Sequence, residues 1–239
     1  MPDKALKILG VRVDNMPRDE IEDEICAALQ KKSGRKFIVT LNPEIILKAY
    51  RDENYRNILN SADLNLVDGF GMKFISFLKG KKIKDRFTGV ELTDFLLERA
   101  KRNDLKVLVV VSKNSLSAPP EIERGIMKKF SFKAKAKYFT DPHFFDCEEA
   151  REAQIILVNF GAPEQEKFIN EYRHKFPEAR ILAGVGGAFD FLTGKFKRAP
   201  KIFRNMGLEW LWRLLQEPKR IKRIYNAVIA FPFLSLTRK

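Results

Sequence analysis

Lys106–Val111 reads KVLVVV, one cation followed by five apolar residues. A strand this apolar is covered on both faces, which places it at the centre of a parallel sheet. The flanking periodicity predicts helices over Gly89–Arg102 and Glu121–Phe130. Working outward, strands are expected at Lys7–Val13, Phe37–Leu41, Leu64–Val67, Ala134–Phe139, Ile155–Asn159 and Arg180–Ala183. Helices are expected at Arg18–Lys31, with Ile21, Ile25, Ala28 and Leu29 on one face, from Pro43 to about Asn60, at Met72–Leu78 and at Pro163–Phe176. The second of these opens on the cap pair Asn42-Pro43 and carries Ile46, Leu47, Tyr50 and Ile58 inward. Alternation of strands with helices implies parallel pairing through crossovers, hence an α/β fold with a layered, mostly parallel, Rossmann-like sheet.

The composition suits a folded protein: 239 residues, 45% hydrophobic and 32% charged, enough for a core and too apolar for a disordered chain. Cys26 and Cys147 lack metal-ligand spacing, and His143 and His174 stand far apart on surface segments, so no zinc site is expected. With no signal peptide at Met1–Gly10, the expected compartment is a reducing cytoplasm.

Charge is uneven. The chain carries +14. Residues 195–239 hold 12 Lys and Arg against 2 Asp and Glu, a net +10, so residues 1–194 carry only +4. The expected division is therefore an α/β catalytic domain, 1–194, and a basic, amphipathic helical appendage, 195–239. Pro218 splits the appendage into two helices. On the second, Ile221, Ile224, Tyr225, Val228 and Ile229 form an apolar stripe, with Lys219, Arg220, Lys222 and Arg223 off it. That pattern suits an anionic lipid surface, and equally a helix packed on its own domain or on a second subunit. The run Ile224–Leu236 is too short to span a bilayer.

Parallel α/β sheets bind ligands beyond the carboxyl ends of their strands. Four such ends carry unusual polar residues: Thr40 and Asn42; Asp68; Asn159 through Gln165; and Gly184 through Asp190. Parallel strands bring all four sets to one crevice. Asp68 suits a general base, although Asp before Gly is also a common turn and helix cap. The glycines at Gly184–Gly187 match neither a phosphate-loop nor a dinucleotide fingerprint. No Asp-x-Asp pair appears, so a metal-held diphosphate is not indicated.

These residues resemble a known family. GVGGAFDFLTGKFKRAP (Gly184–Pro200) and GLEWLWRLLQEPKRIKRIY (Gly207–Tyr225) are similar to the C-terminal signature of the WecG/TagA/CpsF glycosyltransferases. LNPE (Leu41–Glu44), ADLNLVDGFG (Ala62–Gly71) and GAPEQEKFI (Gly161–Ile169) match its other blocks in order and spacing. The resemblance runs from about Ile8 to Tyr225.

The resemblance implies a metal-independent, inverting, UDP-sugar-dependent glycosyltransferase without a cofactor, acting in cell-envelope polymer synthesis such as that of teichoic acid. Its donor is of the N-acetylmannosamine type, with UDP-glucose or the uronic acid of N-acetylmannosamine as alternatives. Its acceptor is a polyprenyl-diphosphate-linked N-acetylglucosamine. Carried across, Asp68 is the base, and Thr40 and Asn42 are polar pocket residues. Gln165 and Asp190 match motif positions around the substrate. Arg86 is a basic residue after the third strand–helix unit that helps neutralise the leaving diphosphate, and Arg213, Arg220 and Arg223 reach the lipid diphosphate. An enzyme of this kind works at the inner face of the cell membrane as a peripheral protein, and self-association is left open. A basic nucleic-acid-binding protein is the reading from another class. The charge sits in a tail with an apolar stripe and no nucleic-acid module appears, so no nucleic-acid partner is expected.

Overall fold

The structure is a computed structural model. It describes the chain apart from residues 1–4, 32–33, 140–141, 201–202, 204–205, 207–208, 219–220 and 238–239 and the side chains of Phe70, Pro142, Glu209, Trp210, Arg213, Lys222 and Arg223. Six strands form one parallel sheet: β3 (Lys36–Leu41), β4 (Leu64–Val67), β5 (Val107–Val111), β6 (Lys135–Tyr138), β7 (Ile155–Asn159) and β8 (Ile181–Gly184). Their order across the sheet is β4-β3-β8-β7-β5-β6, all neighbours parallel. Val107–Val111 of the KVLVVV stretch is β5, buried at every position, while Lys106 before it is exposed. The strand lies between β7 and the edge strand β6, one place in from the edge and not at the sheet's centre.

Alternation along the strands divides the core into two layers. Phe37, Val39 and Leu41 of β3 face one layer with α2 (Pro43–Arg51), α3 (Glu53–Asn60) and α8 (Glu164–Tyr172). Ile38 faces the other with α1 (Arg18–Leu29), α5 (Gly89–Arg102) and α6 (Pro119–Phe130). The remaining helices of the body are α4 (Phe70–Leu78), α7 (Glu148–Glu152) and α9 (Ala188–Leu192).

Two expected elements divide. The single strand over Lys7–Val13 is instead an antiparallel hairpin of β1 (Ala5–Ile8) and β2 (Val11–Asp14). Its two turn residues, Leu9 and Gly10, both take positive φ, 48° and 82°, the geometry that matches strand twist in a two-residue turn. Leu9 is a poor residue for that conformation, and its burial offsets the cost. The hairpin lies against the β4 edge, where the Asp14 carboxylate accepts the Asn65 amide at 2.7 Å, covering an edge that would otherwise be open. The helix from Pro43 to Asn60 also breaks, at Asp52. Asp52 is extended (φ −128°, ψ 106°), ends α2, and caps α3 by accepting the Tyr55 amide at 3.0 Å. The break turns Tyr55 fully into the core and leaves Tyr50 and Ile58 half-buried.

Residues 197–200 are irregular, and beyond them come α10 (Glu209–Gln216), α11 (Ile221–Tyr225), a π-helical segment (Asn226–Ala230) and α12 (Phe231–Thr237). The last three run on without interruption; the π-helical segment and α12 pack on α2, and α12 also packs on α4. Phe231 is wholly buried and belongs to the same core layer as α2 and α3.

Candidate active site

The carboxyl ends of β3, β4, β5, β7 and β8 open on one cleft of about 550 Å³, the size of a site for a substantial small molecule. Thr40, Asn42, Asp68, Asn159, Gln165 and Asp190 all line it, so the four polar strand ends do converge.

The conformation around Asp68 separates its two readings. Helix α4 is capped by Gly69, at φ 96° and without a side-chain cap bond, so Asp68 is not the cap of the helix that follows it. Its Oδ2 instead lies 3.4 Å from the Gly89 amide, the first residue of α5. Gly89 is itself closely packed against other segments. A Cβ on Gly89 would stand 3.2 Å from the Val185 carbonyl and 3.4 Å from Thr40 Oγ1. The α5 start is held by a capping box in which the Glu91 side chain and the Thr88 backbone and hydroxyl bond reciprocally. Burial alone would raise the Glu91 carboxyl. The Thr88 bonds, with Arg18 and Arg198 nearby, bring it below its ordinary range. Asn42 does act as a cap, its Oδ1 accepting the Ile45 amide at 3.0 Å.

Gln165 is braced on every side. Its Oε1 accepts the Gly186 amide at 2.9 Å and the Gly161 amide at 3.2 Å, tying the loops after β8 and β7 together. Its Nε2 donates to Glu166 at 2.7 Å, and Glu166 also accepts the Tyr55 hydroxyl at 2.9 Å. Glu166 is fully buried. Burial pushes its carboxyl upward, while the Gln165 amide and the Tyr55 hydroxyl pull it back. The same burial, with the Glu166 carboxylate alongside, raises the Tyr55 phenol well above its usual range. Gln165 thus sets the cleft wall through its amide. Gly184→Ala tests this packing, since the new methyl carbon would meet Gln165 Nε2 at 2.7 Å and the pinned amide has no room to yield. The expected cost is about 1–3 kcal/mol, the scale of core overpacking, read as a lowered melting temperature. An unchanged melting temperature would show that the brace is slack.

Asp190 is 9% exposed and accepts the Ser117 hydroxyl at 2.7 Å, with Thr193 Oγ1 2.7 Å from the same hydroxyl. Ser117 lies just before α6, and sequence reading did not single it out because no spacing links it to Asp190. Arg86 is half-buried and stands outside the cleft lining; among the described residues the cation found there is Arg198. Its Nε is buried without a hydrogen-bond partner. The preceding backbone is clamped by α10: Gln216 Oε1 accepts the Lys197 amide, and Gln216 Nε2 and Trp212 Nε1 donate to the Lys197 carbonyl, each at 3.0 Å. Arg198 was legible only as one of many tail cations.

The expected apolar stripe of the tail splits. Ile221, Tyr225, Val228 and Ile229 are exposed, whereas Ile224 is half-buried and lines the cleft with Ala227. Arg213 and Arg223 lie on α10 and α11, but their side chains, and Arg220 altogether, are outside the described residues. Among the described residues no three His, Cys, Asp or Glu side chains gather as metal ligands, and no helix is long and apolar enough to cross a membrane.

A parallel α/β sheet whose carboxyl edge opens on a polar cleft, lined by the carboxylates of Glu44, Asp68, Asp190 and Glu217 and by Arg198, defines a Rossmann-like fold with a ligand site at its strand ends. Residues 6–239 match the glycosyl transferase WecG/TagA/CpsF family, and the chain belongs to it. Among its relatives is the N-acetylglucosaminyldiphosphoundecaprenol N-acetyl-beta-D-mannosaminyltransferase of Bacillus spizizenii, 38% identical over 196 residues, covering 80% of this chain and 75% of the relative. The protein of the same name from Bacillus subtilis is 32% identical over 198 residues, covering 79% and 75%.

Proposed function

We propose that this glycosyltransferase moves a sugar of the N-acetylmannosamine type from a UDP-sugar to a polyprenyl-diphosphate-linked N-acetylglucosamine. The observation that carries this reading is that Asp68 and Arg198 line one cleft. Asp68 takes the proton of the acceptor hydroxyl as its oxygen bonds to the anomeric carbon. The bond from that carbon to the UDP oxygen breaks on the opposite face, so the configuration inverts. Charge develops on the departing diphosphate, where a fixed cation lowers the barrier most. Arg198 supplies it with a planar fork suited to phosphate oxygens, and Arg86 and the tail's Arg213, Arg220 and Arg223 are proposed to serve the acceptor's diphosphate. Thr40, Asn42 and Asp190 line the sugar and nucleotide path, and Gln165 holds its wall.

The relatives' names support the acceptor and the transferred sugar. A lipid-borne acceptor keeps the enzyme at a membrane, and residues 195–239, with Ile221, Tyr225, Val228 and Ile229 turned outward, are proposed as the appendage that meets it. The deciding experiment incubates the protein with synthetic prenyl-diphosphate N-acetylglucosamine and each UDP-sugar in turn, reading UDP release and product mass. Transfer from UDP-glucose alone, or from no UDP-sugar, would overturn the donor assignment. With arginine in the metal's role, activity is expected to survive EDTA and to need no added Mg²⁺ or Mn²⁺. Loss in EDTA restored by one divalent ion would remove the arginine-based account.

A further inference from the structure

Helix α4 is amphipathic in the wrong sense for a helix wholly packed on a domain. Met72 and Ile75 are buried on one face. On the other, Phe74, Phe77 and Leu78 are 52%, 72% and 48% exposed. Their spacing, i, i+3 and i+4, makes them one contiguous face. Helix α12 packs beside α4 and adds Phe233 and Leu236, 66% and 50% exposed, while its Phe231 and Ser235 point into the body. Aromatic area of this kind, gathered on adjoining helices, marks an interaction surface.

The segment that follows fixes the chemistry of the occupant. Lys79, Lys81, Lys82 and Lys84 are all exposed, within six residues that leave α4. An apolar face bordered by four ammonium groups suits an anionic bilayer, with aromatic rings at the acyl boundary and lysines among the headgroups. A second copy of the chain suits it poorly. Two-fold pairing through this face would set one lysine cluster beside its twin, on a protein already carrying +14.

Position adds a second argument. Helix α4 begins two residues after Asp68, and the helical run it packs against lines the cleft through Ile224 and Ala227. A face resting on lipid here would hold the cleft beside the membrane surface, where a prenyl-linked acceptor presents its sugar.

We propose that the α4 face, with Lys79–Lys84 and the adjoining Phe233 and Leu236 of α12, is a membrane-contacting surface distinct from the exposed Ile221, Tyr225, Val228 and Ile229. This deepens the reading of a lipid-borne acceptor and rests on it. The test uses the full chain and sedimentation with vesicles of phosphatidylcholine containing about 30% phosphatidylglycerol, against pure phosphatidylcholine. Phe77→Asp, and separately Lys81→Glu with Lys82→Glu, are expected to lower partition to the anionic vesicles at least about tenfold. Melting temperature and transfer to a water-soluble short-chain acceptor are expected to stay at the parent's level, and transfer to an acceptor embedded in the vesicles to fall with partition. Parental partition of both variants would overturn the proposal. So would a change in solution mass by light scattering with unchanged partition, which would make the face a self-association surface. Partition is read without donor or acceptor, so failure of the transfer assay itself would count against the glycosyl-transfer reading and not against the surface.

Discussion

Asp68→Asn is expected to lower turnover by about 10²-fold or more, the scale of lost general-base assistance, with the melting temperature unchanged. The substitution is nearly isosteric, and an asparagine carbonyl can still face the Gly89 amide that lies 3.4 Å from Oδ2. Helix α4 takes no side-chain cap from Asp68, so no cap is lost. What the reaction loses is the capacity to accept a proton. Initial rates of UDP release with saturating acceptor, beside a thermal melt, give both readouts. Turnover near that of the parent together with a lowered melting temperature would make Asp68 a structural residue and leave the reaction without its base.

Arg198→Ala is expected to cost about 10²–10³-fold in kcat, comparable to removing one fixed donor from a developing anion. Arg198→Lys keeps the charge and loses the fork, so it is expected to recover part of that loss. The buried, unpartnered Nε of Arg198 is the basis of this expectation, since a donor left so is costly unless a ligand meets it. The Gln216 and Trp212 bonds to Lys197 hold the residue next to it in place. Gln216→Ala is therefore expected to act in the same direction and less strongly, by loosening the arginine without removing it. The measurement is a kcat and KM series over donor concentration. Activity of Arg198→Ala within about twofold of the parent would move the diphosphate cation elsewhere, with Arg86 and the tail arginines next in line.

The apolar runs were enough to read the sheet. Val107–Val111 and Ile155–Asn159 are buried at every position, and continuous apolar strands between helices leave parallel pairing as the stable arrangement. The crevice followed, because parallel strands end on the same side. Thr40, Asn42, Asp68, Gln165 and Asp190 were visible as polar residues where an apolar run stops. Local geometry was less legible. The Leu9-Gly10 turn uses a residue that seldom adopts positive φ, and Asp52 interrupts a helical pattern that continues through it. In both cases a packed neighbourhood outweighs local preference.

The roles of individual side chains were decided by contacts between distant segments. Periodicity placed Gln165 near a helix start, but its bonds to Gly161, Gly186 and Glu166 turn its amide into a brace. Ser117 meets Asp190 across 73 residues of chain. Arg198 enters the cleft from a cationic stretch where one arginine looks like the next. Apolar periodicity and strand ends are local properties, so the sequence by itself determined the α/β sheet and the edge on which Thr40, Asn42, Asp68, Gln165 and Asp190 converge, with Asp68 the carboxylate proposed as base. Which cation joins that carboxylate, and which apolar face stays uncovered, depends on how α10 and α12 fold back onto the body, and only the tertiary structure decides that.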